Sequence, residues 1–236
     1  MVFEKFKAYF HYSYWGIMKK FIESEECNKI YKFLKERNQE ADVKICPLSF
    51  NTYKTFYLTP LNDVNCVILG NSPYTDIVND EPIASGTLFG AFTRAQNDLK
   101  WFYQGIEKEL FNGFNLHYID DNYNVEYLTS QGVLLLNSSL TSDAKLSHNE
   151  IWKPFIEYVF ENIIKTSGAP IIVLGEHAKN SIKNINLSKT NNVYYLEFPK
   201  YNWNTKDVFT NVSKDIWNNN KETICWLPYD DNKTPF

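Results

Sequence analysis

What this chain lacks sets the first limits on it. No run of eighteen apolar residues occurs, which argues against a membrane-spanning helix. The opening Met1-Val-Phe-Glu-Lys-Phe-Lys places an acid early and has no apolar core of the kind a secretory leader needs. Cysteine is sparse and dispersed. Cys27, Cys46, Cys66 and Cys225 offer no Cys-x-x-Cys pair, which speaks against a zinc site and for buried thiols in a reducing, cytoplasmic setting. Neither a low-complexity linker nor a repeat of solenoid period divides the sequence. A positive charge excess is also missing: the net charge is −4, so nucleic acid feels no overall attraction. One basic face would still suffice locally. Acids crowd residues 20–42 and 76–126, whereas 179–206 carries Lys179, Lys183, Lys189, Lys200 and Lys206 against Glu197 alone. Charge by itself leaves open a phosphate-facing edge or a plain solvated lysine face.

What is present is an alternation of buried strands and amphipathic helices. Hydrophobic residues make up 44% of the 236, enough for one substantial core. The segment Cys66-Val-Ile-Leu-Gly-Asn-Ser-Pro-Tyr74 reads as an apolar strand ending at a glycine, then a polar turn closed by Pro-Tyr. Gly132-Val-Leu-Leu-Leu-Asn137-Ser-Ser-Leu-Thr141 repeats the device. In a parallel sheet such turns stand at the carboxyl ends of strands, where ligands bind. Pro170 to Gly175 and Val193 to Glu197 complete a set of four strands. Residues 1–38 predict two helices, and Asn97 to Leu110 another, with Leu99, Phe102, Ile106 and Leu110 on one face. Asn149 to Lys165 predicts a helix capped by Asn149 or Ser147, followed by one from near Glu176 and a closing one from Lys206 to Asn218. The expected fold is α/β: one domain over 1–236, with a central, mostly parallel four-stranded sheet and helices on both faces. Residues 1–44 would form a helical N-terminal part.

Six segments, in order from about residue 45 to 228, resemble the classical uracil-DNA glycosylase family. Val67-Ile-Leu-Gly-Asn-Ser-Pro-Tyr74 is similar to the family's Gly-Gln-Asp-Pro-Tyr-His strand and turn, and Gly86-Thr-Leu-Phe89 to its Gly-Leu-Ala-Phe. The run Gly132 to Asn137 matches Gly-Val-Leu-Leu-Leu-Asn almost letter for letter. Leu146-Ser-His148 with Trp152, Leu174-Gly-Glu-His-Ala178 and Cys225-Trp-Leu-Pro228 follow. The resemblance implies a base pocket: Phe89 as stacking platform, Asn137 reading the pyrimidine edge through its amide, and Tyr74 beside C5, where the family excludes thymine. Each has a plainer reading alone, as a core aromatic, a turn former and a packed turn residue. It further implies that His148 contacts a phosphate, and that Lys200, Asn202, Thr205 and Lys206 grip the DNA backbone. Tyr201 and Trp203 flank the place of the family's inserted leucine wedge.

The catalytic letters depart from the pattern. The resemblance puts the catalytic turn at Asn71 and Ser72, yet Ser72 stands where the family has an Asp. A neutral hydroxyl supplies no negative charge to an oxocarbenium-like sugar and is a poor base. Phe198, which belongs to the base pocket by position, replaces the His that donates to the departing base. Thr75 replaces the His after Pro-Tyr, and Gln96-Asn97-Asp98 replaces a phosphate-binding Pro-Pro-Ser, with Asp98 repelling phosphate and Arg94 compensating. The loop from Thr75 to Ser85 is longer than in the family and holds Asp76, Asp80 and Glu81. Asp76 is the first candidate to replace the missing carboxylate, against a plain reading as solvated acid.

The resemblance therefore implies a monofunctional DNA N-glycosylase that leaves an abasic site, acting as a monomer without cofactor or metal. A rotated Asn137 amide would serve cytosine as well as uracil. Three readings of the target stand: a modified pyrimidine, such as a hypermodified viral cytosine removed in antiviral defence; uracil, in slow base-excision repair; or a non-catalytic DNA- or protein-binding module. Tyr74 opposes the first by crowding any C5 substituent.

Overall fold

A computed structural model describes residues 3–93, 96–111, 125–187, 189, 191–219 and 221–227. Among the described residues six short strands are formed: β1 (Cys66–Gly70), β2 (Ile77–Val78), β3 (Glu81–Pro82), β4 (Val133–Asn137), β5 (Ile171–Leu174) and β6 (Val193–Leu196). The main sheet has the order β4-β1-β5-β6, and each neighbouring pair within it is parallel. β2 and β3 form a separate antiparallel hairpin inside the loop after β1, an element that no residue spacing in that loop predicts.

The strands are short and almost wholly apolar because the sheet is covered on both faces. Val67, Leu69, Leu134, Leu136, Ile171 and Val173 point to one core. Helices α1 (Trp15–Ile22), α2 (Glu25–Arg37) and α3 (Lys54–Leu58) lie on that side of the molecule, and Met18, Phe21 and Ile30 join its core. Their alternates, Cys66, Ile68, Val133, Leu135, Ile172 and Leu174, face a second core with α4 (Asn97–Phe111) and α5 (Glu126–Thr129), where Phe102, Ile106 and Leu128 pack. Helices α6 (Asn149–Val159), α7 (Lys165–Ser167) and α8 (Gly175–Ile182) follow, and α9 (Val208–Asn218) closes the second core with Phe209 and Ile216. Strand alternation thus feeds two cores, as the period of two requires. The α/β expectation holds, with a sheet that is entirely parallel. No described helix is long and apolar enough to cross a membrane.

Two local expectations change. The helix after Ser147 begins from His148 as its N-cap position, without a side-chain cap, and Asn149 is already its first helical residue. Its continuation is broken by a π-helical turn at Phe160–Ile164. The closing helix starts at Val208, since Lys206 and Asp207 both hold left-handed φ values, 53° and 59°.

Candidate functional site

The carboxyl ends of β1 and β4 lie side by side, with Gly70 paired in register to Asn137. Their outgoing turns are tied together. Ser138 N–H donates to the Gly70 carbonyl and Ser139 N–H to that of Asn71, both at 2.9 Å. The Ser138 hydroxyl also donates to the Asn71 carbonyl, and the Ser142 hydroxyl to that of Pro73, each at 2.9 Å. This mutual bonding fixes the polar turns at the strand ends, where a ligand approaches.

Asn137 is 4% exposed, and its side-chain carbonyl oxygen is buried with no hydrogen-bond partner. A buried acceptor left open costs about 1–3 kcal/mol, so such an atom points to a donor that arrives with a ligand. The Asn71 side-chain oxygen accepts from the Asn149 amide at 3.2 Å, and the Asn149 oxygen is likewise buried without a partner. Asn149 was legible in sequence only as a helix cap, so this link was missed.

Phe89 sits on the loop that returns to the sheet, through a bond from Leu88 N–H to the Leu135 carbonyl at 3.1 Å. That bond sets the Phe89 segment two residues short of Asn137 on the neighbouring strand. Phe89 takes a left-handed φ of 61°, rare for a bulky residue and commonest where structure around a site compels it. Its ring meets Phe102 at 5.1 Å and Phe198 at 5.8 Å, so the residue in the lost histidine's place extends an aromatic wall. Gly86 makes the loop's tight start possible: at φ 95°, a Cβ there would stand 1.9 Å from the Asn51 carbonyl oxygen.

Tyr74 is half-buried and donates its phenol hydroxyl to Asp98 Oδ1 at 2.6 Å. Burial raises the Asp98 carboxyl above its usual range, opposed by the Tyr74 hydroxyl and the Leu99 N–H. Burial, and then the Asp98 charge, push the Tyr74 phenol up. Asp98, expected to repel a phosphate, is half-buried and accepts from Tyr74, a neutral donor that leaves its charge in place. Arg94 lies outside the described residues.

Ser72 and Thr75 are half-buried on the same turn, whereas Asp76, Asp80 and Glu81 are exposed on the hairpin. The Asp76 carbonyl accepts from Ile83 N–H, and Asp80 pairs with Lys44.

Three expected DNA contacts are corrected by burial, Thr205 among them at 4% exposed. His148 is 2% exposed; its Nδ1 lies 2.8 Å from the Thr141 hydroxyl and its Nε2 3.0 Å from Asp143 Oδ2. With both nitrogens engaged inside the protein, it offers nothing to a phosphate. Asp143 is held in turn by Arg37, whose Nε donates to Oδ2 at 2.8 Å. Trp203 is 3% exposed, donates Nε1–H to the Glu197 carbonyl at 2.9 Å and stacks on Phe102 at 5.7 Å. Gly105 leaves room for the indole, since a Cβ there would come within 2.6 Å of it. Tyr201, on the other flank of the expected wedge place, is 74% exposed. Lys200, Asn202 and Lys206 are exposed around it, Lys200 in an ion pair with Glu197 at 2.6 Å.

No family model matches the chain. Among curated proteins it is 30% identical over 186 residues to a uracil-DNA glycosylase of Lacticaseibacillus casei, covering 78% of each. The same name is carried by a Lactiplantibacillus plantarum protein, 28% identical over 82% of this chain and 81% of its own length. A Fusobacterium nucleatum protein of that name is 30% identical over 72% of this chain and 75% of its length. Among solved structures, the mimivirus uracil-DNA glycosylase superposes with a TM-score of 0.79 at 18% identity, over 93% of this chain and 88% of that one. The Nitratifractor salsuginis UNG structure gives 0.61 at 17% identity, over 89% and 90%.

Proposed function

Because the chain belongs to the uracil-DNA glycosylase family, and is therefore a DNA glycosylase that hydrolyses N-glycosyl bonds, we propose that its target is uracil in DNA. The observation that carries this reading is the buried, unpartnered carbonyl oxygen of Asn137 at the end of β4. A uracil turned out of the duplex presents its N3–H to that oxygen and stacks its face on Phe89. Tyr74 then stands at C5, which in uracil carries only hydrogen.

Water replaces the base at C1′. The glycosidic electron pair leaves with the base nitrogen, and the proton released by the water balances the base anion. Ser72 brings no charge to this step and Phe198 no hydrogen bond to the departing base. Turnover by this chain is therefore slower than by an enzyme with Asp and His at those places. Tyr201 fills the gap in the stack, while Lys200, Asn202 and Lys206 meet the phosphates.

The test is incubation with duplexes containing uracil, hydroxymethylcytosine or glucosylated hydroxymethylcytosine, followed by alkali. Strand breaks at uracil that fall at least about 100-fold in Asn137→Ala are expected, as for loss of a key transition-state contact. Breaks confined to a modified cytosine would transfer the activity to viral DNA. Retained binding with no breaks anywhere would mark a non-catalytic module.

A further inference from the structure

Tyr74 is held from two sides. Below it, the turn backbone is fixed by the Ser138, Ser139 and Ser142 bonds to Asn71 and Pro73, each at 2.9 Å. At its far end the phenol hydroxyl reaches Asp98 Oδ1 at 2.6 Å, a short bond of the kind made to a charged acceptor. Asp98 is itself immobilised. The same oxygen accepts from Leu99 N–H at 2.9 Å, and α4 is anchored into the second core by Leu99, Phe102 and Ile106. A tyrosine ring has two free torsions, and a tie at each end leaves it no easy swing.

We propose that Asp98 is a positioning residue that latches Tyr74 across the base pocket, and that this latch sets how strongly the enzyme rejects pyrimidines substituted at C5. The inference rests on the proposed pocket of Phe89, Asn137 and Tyr74. A methyl or hydroxymethyl group at C5 has to displace the ring. An untied tyrosine moves aside by changing rotamer. A tied one must break its bond and leave a half-buried carboxylate with the Leu99 N–H as its remaining donor, which deepens the rejection. The cost of a methyl-sized group in a fitted pocket is a rate factor of about 10–200.

The latch is tested by single-turnover base release from duplexes carrying uracil, thymine or 5-hydroxymethyluracil opposite guanine. Wild type is compared with Asp98→Ala, Asp98→Asn and Tyr74→Phe. The rate on the 5-substituted bases relative to uracil rises about tenfold or more in Asp98→Ala and in Tyr74→Phe. Asp98→Asn keeps an acceptor oxygen in place and recovers part of the discrimination. Tyr74→Phe leaves α4 untouched, so it decides the matter even if Asp98→Ala fails to fold. Unmoved ratios in folded Tyr74→Phe or Asp98→Ala overturn the latch, as does an Asp98→Asn ratio no better than that of Asp98→Ala. A wild-type protein that releases no uracil overturns the excision reading and the latch with it. An active wild type with unmoved ratios overturns the latch alone.

Discussion

Thr141, Asp143 and His148 form a buried polar chain beside the site, and its titration gives a signature in stability. Burial works against the Asp143 charge, yet hydrogen bonds from Arg37, the Lys145 N–H and His148 hold its carboxyl well below the usual carboxylate range. Burial likewise lowers the His148 imidazole, against the pull of Asp143. For both groups the unfolded chain binds protons more readily than the folded one, so stability rises with pH. The His148 contribution is complete above about pH 6.5 and is lost as pH falls toward the lowered folded value. The Asp143 contribution is complete above about pH 4 and is lost below it. Thermal unfolding followed by circular dichroism should therefore show a melting temperature that drops from pH 7 to pH 5, then drops again below pH 4. A melting temperature that is flat or rising across that first interval would contradict the assignment of His148 as a neutral interior residue. Its burial is also why it misled as a sequence motif: a Ser-His pair looks the same whether the ring turns outward or inward. The Thr141 hydroxyl that captures it also accepts from Trp152 Nε1 at 2.6 Å.

The loop between β1 and α4 shows how an element serves the site. Its hairpin, β2 with β3, projects exposed acids, while its second half turns back to seat Phe89 against the sheet. Gly86 is the hinge of that return. Asn51 backbone closes the space where a side chain would go, and the φ of 95° lies in the region L-residues avoid. Gly86→Ala should therefore cost roughly 2–5 kcal/mol, combining backbone strain with overpacking against immovable main chain. Urea denaturation measures this directly, and a change under about 1 kcal/mol would mean that the loop relaxes freely. Elements of this regularity were legible beforehand. The four strands of the main sheet and the apolar face of α4 follow from runs and spacing that local chemistry determines. The hairpin was not, because a two-residue pairing leaves no period to read. Nor did spacing separate Trp203 from Tyr201. Adjacent aromatics in an irregular segment are sorted by which one finds a cavity, and Gly105, nearly a hundred residues earlier, supplies it.

Taken whole, the molecule joins tightly bonded strand-end turns to a neutral Ser72 and an apolar Phe198 beside them. Ordered motifs picked out Phe89, Asn137 and Tyr74; the fold sets the turn before Tyr74 beside Asn137 and bonds Leu88, next to Phe89, to Leu135 of the same strand. What the sequence could not convey was the bonding between them: Asp98 with Tyr74, and Asn149 with Asn71. Both are contacts between residues far apart in the chain and without a shared motif. Net charge is no guide to the proposed DNA face either. The exposed Lys206, Asn202 and Tyr201 cluster on one segment, while much of the acid lies on the hairpin and the outer helices. The central claim is that Asn137 receives a flipped uracil whose bond to the sugar is then hydrolysed. Mass spectrometry of the small molecule released from uracil-containing duplex DNA tests it most directly. Free uracil from the wild-type protein, and almost none from a folded Asn137→Ala variant, is the expected result. Equal release by the two proteins, or no free base from the wild type, would contradict it.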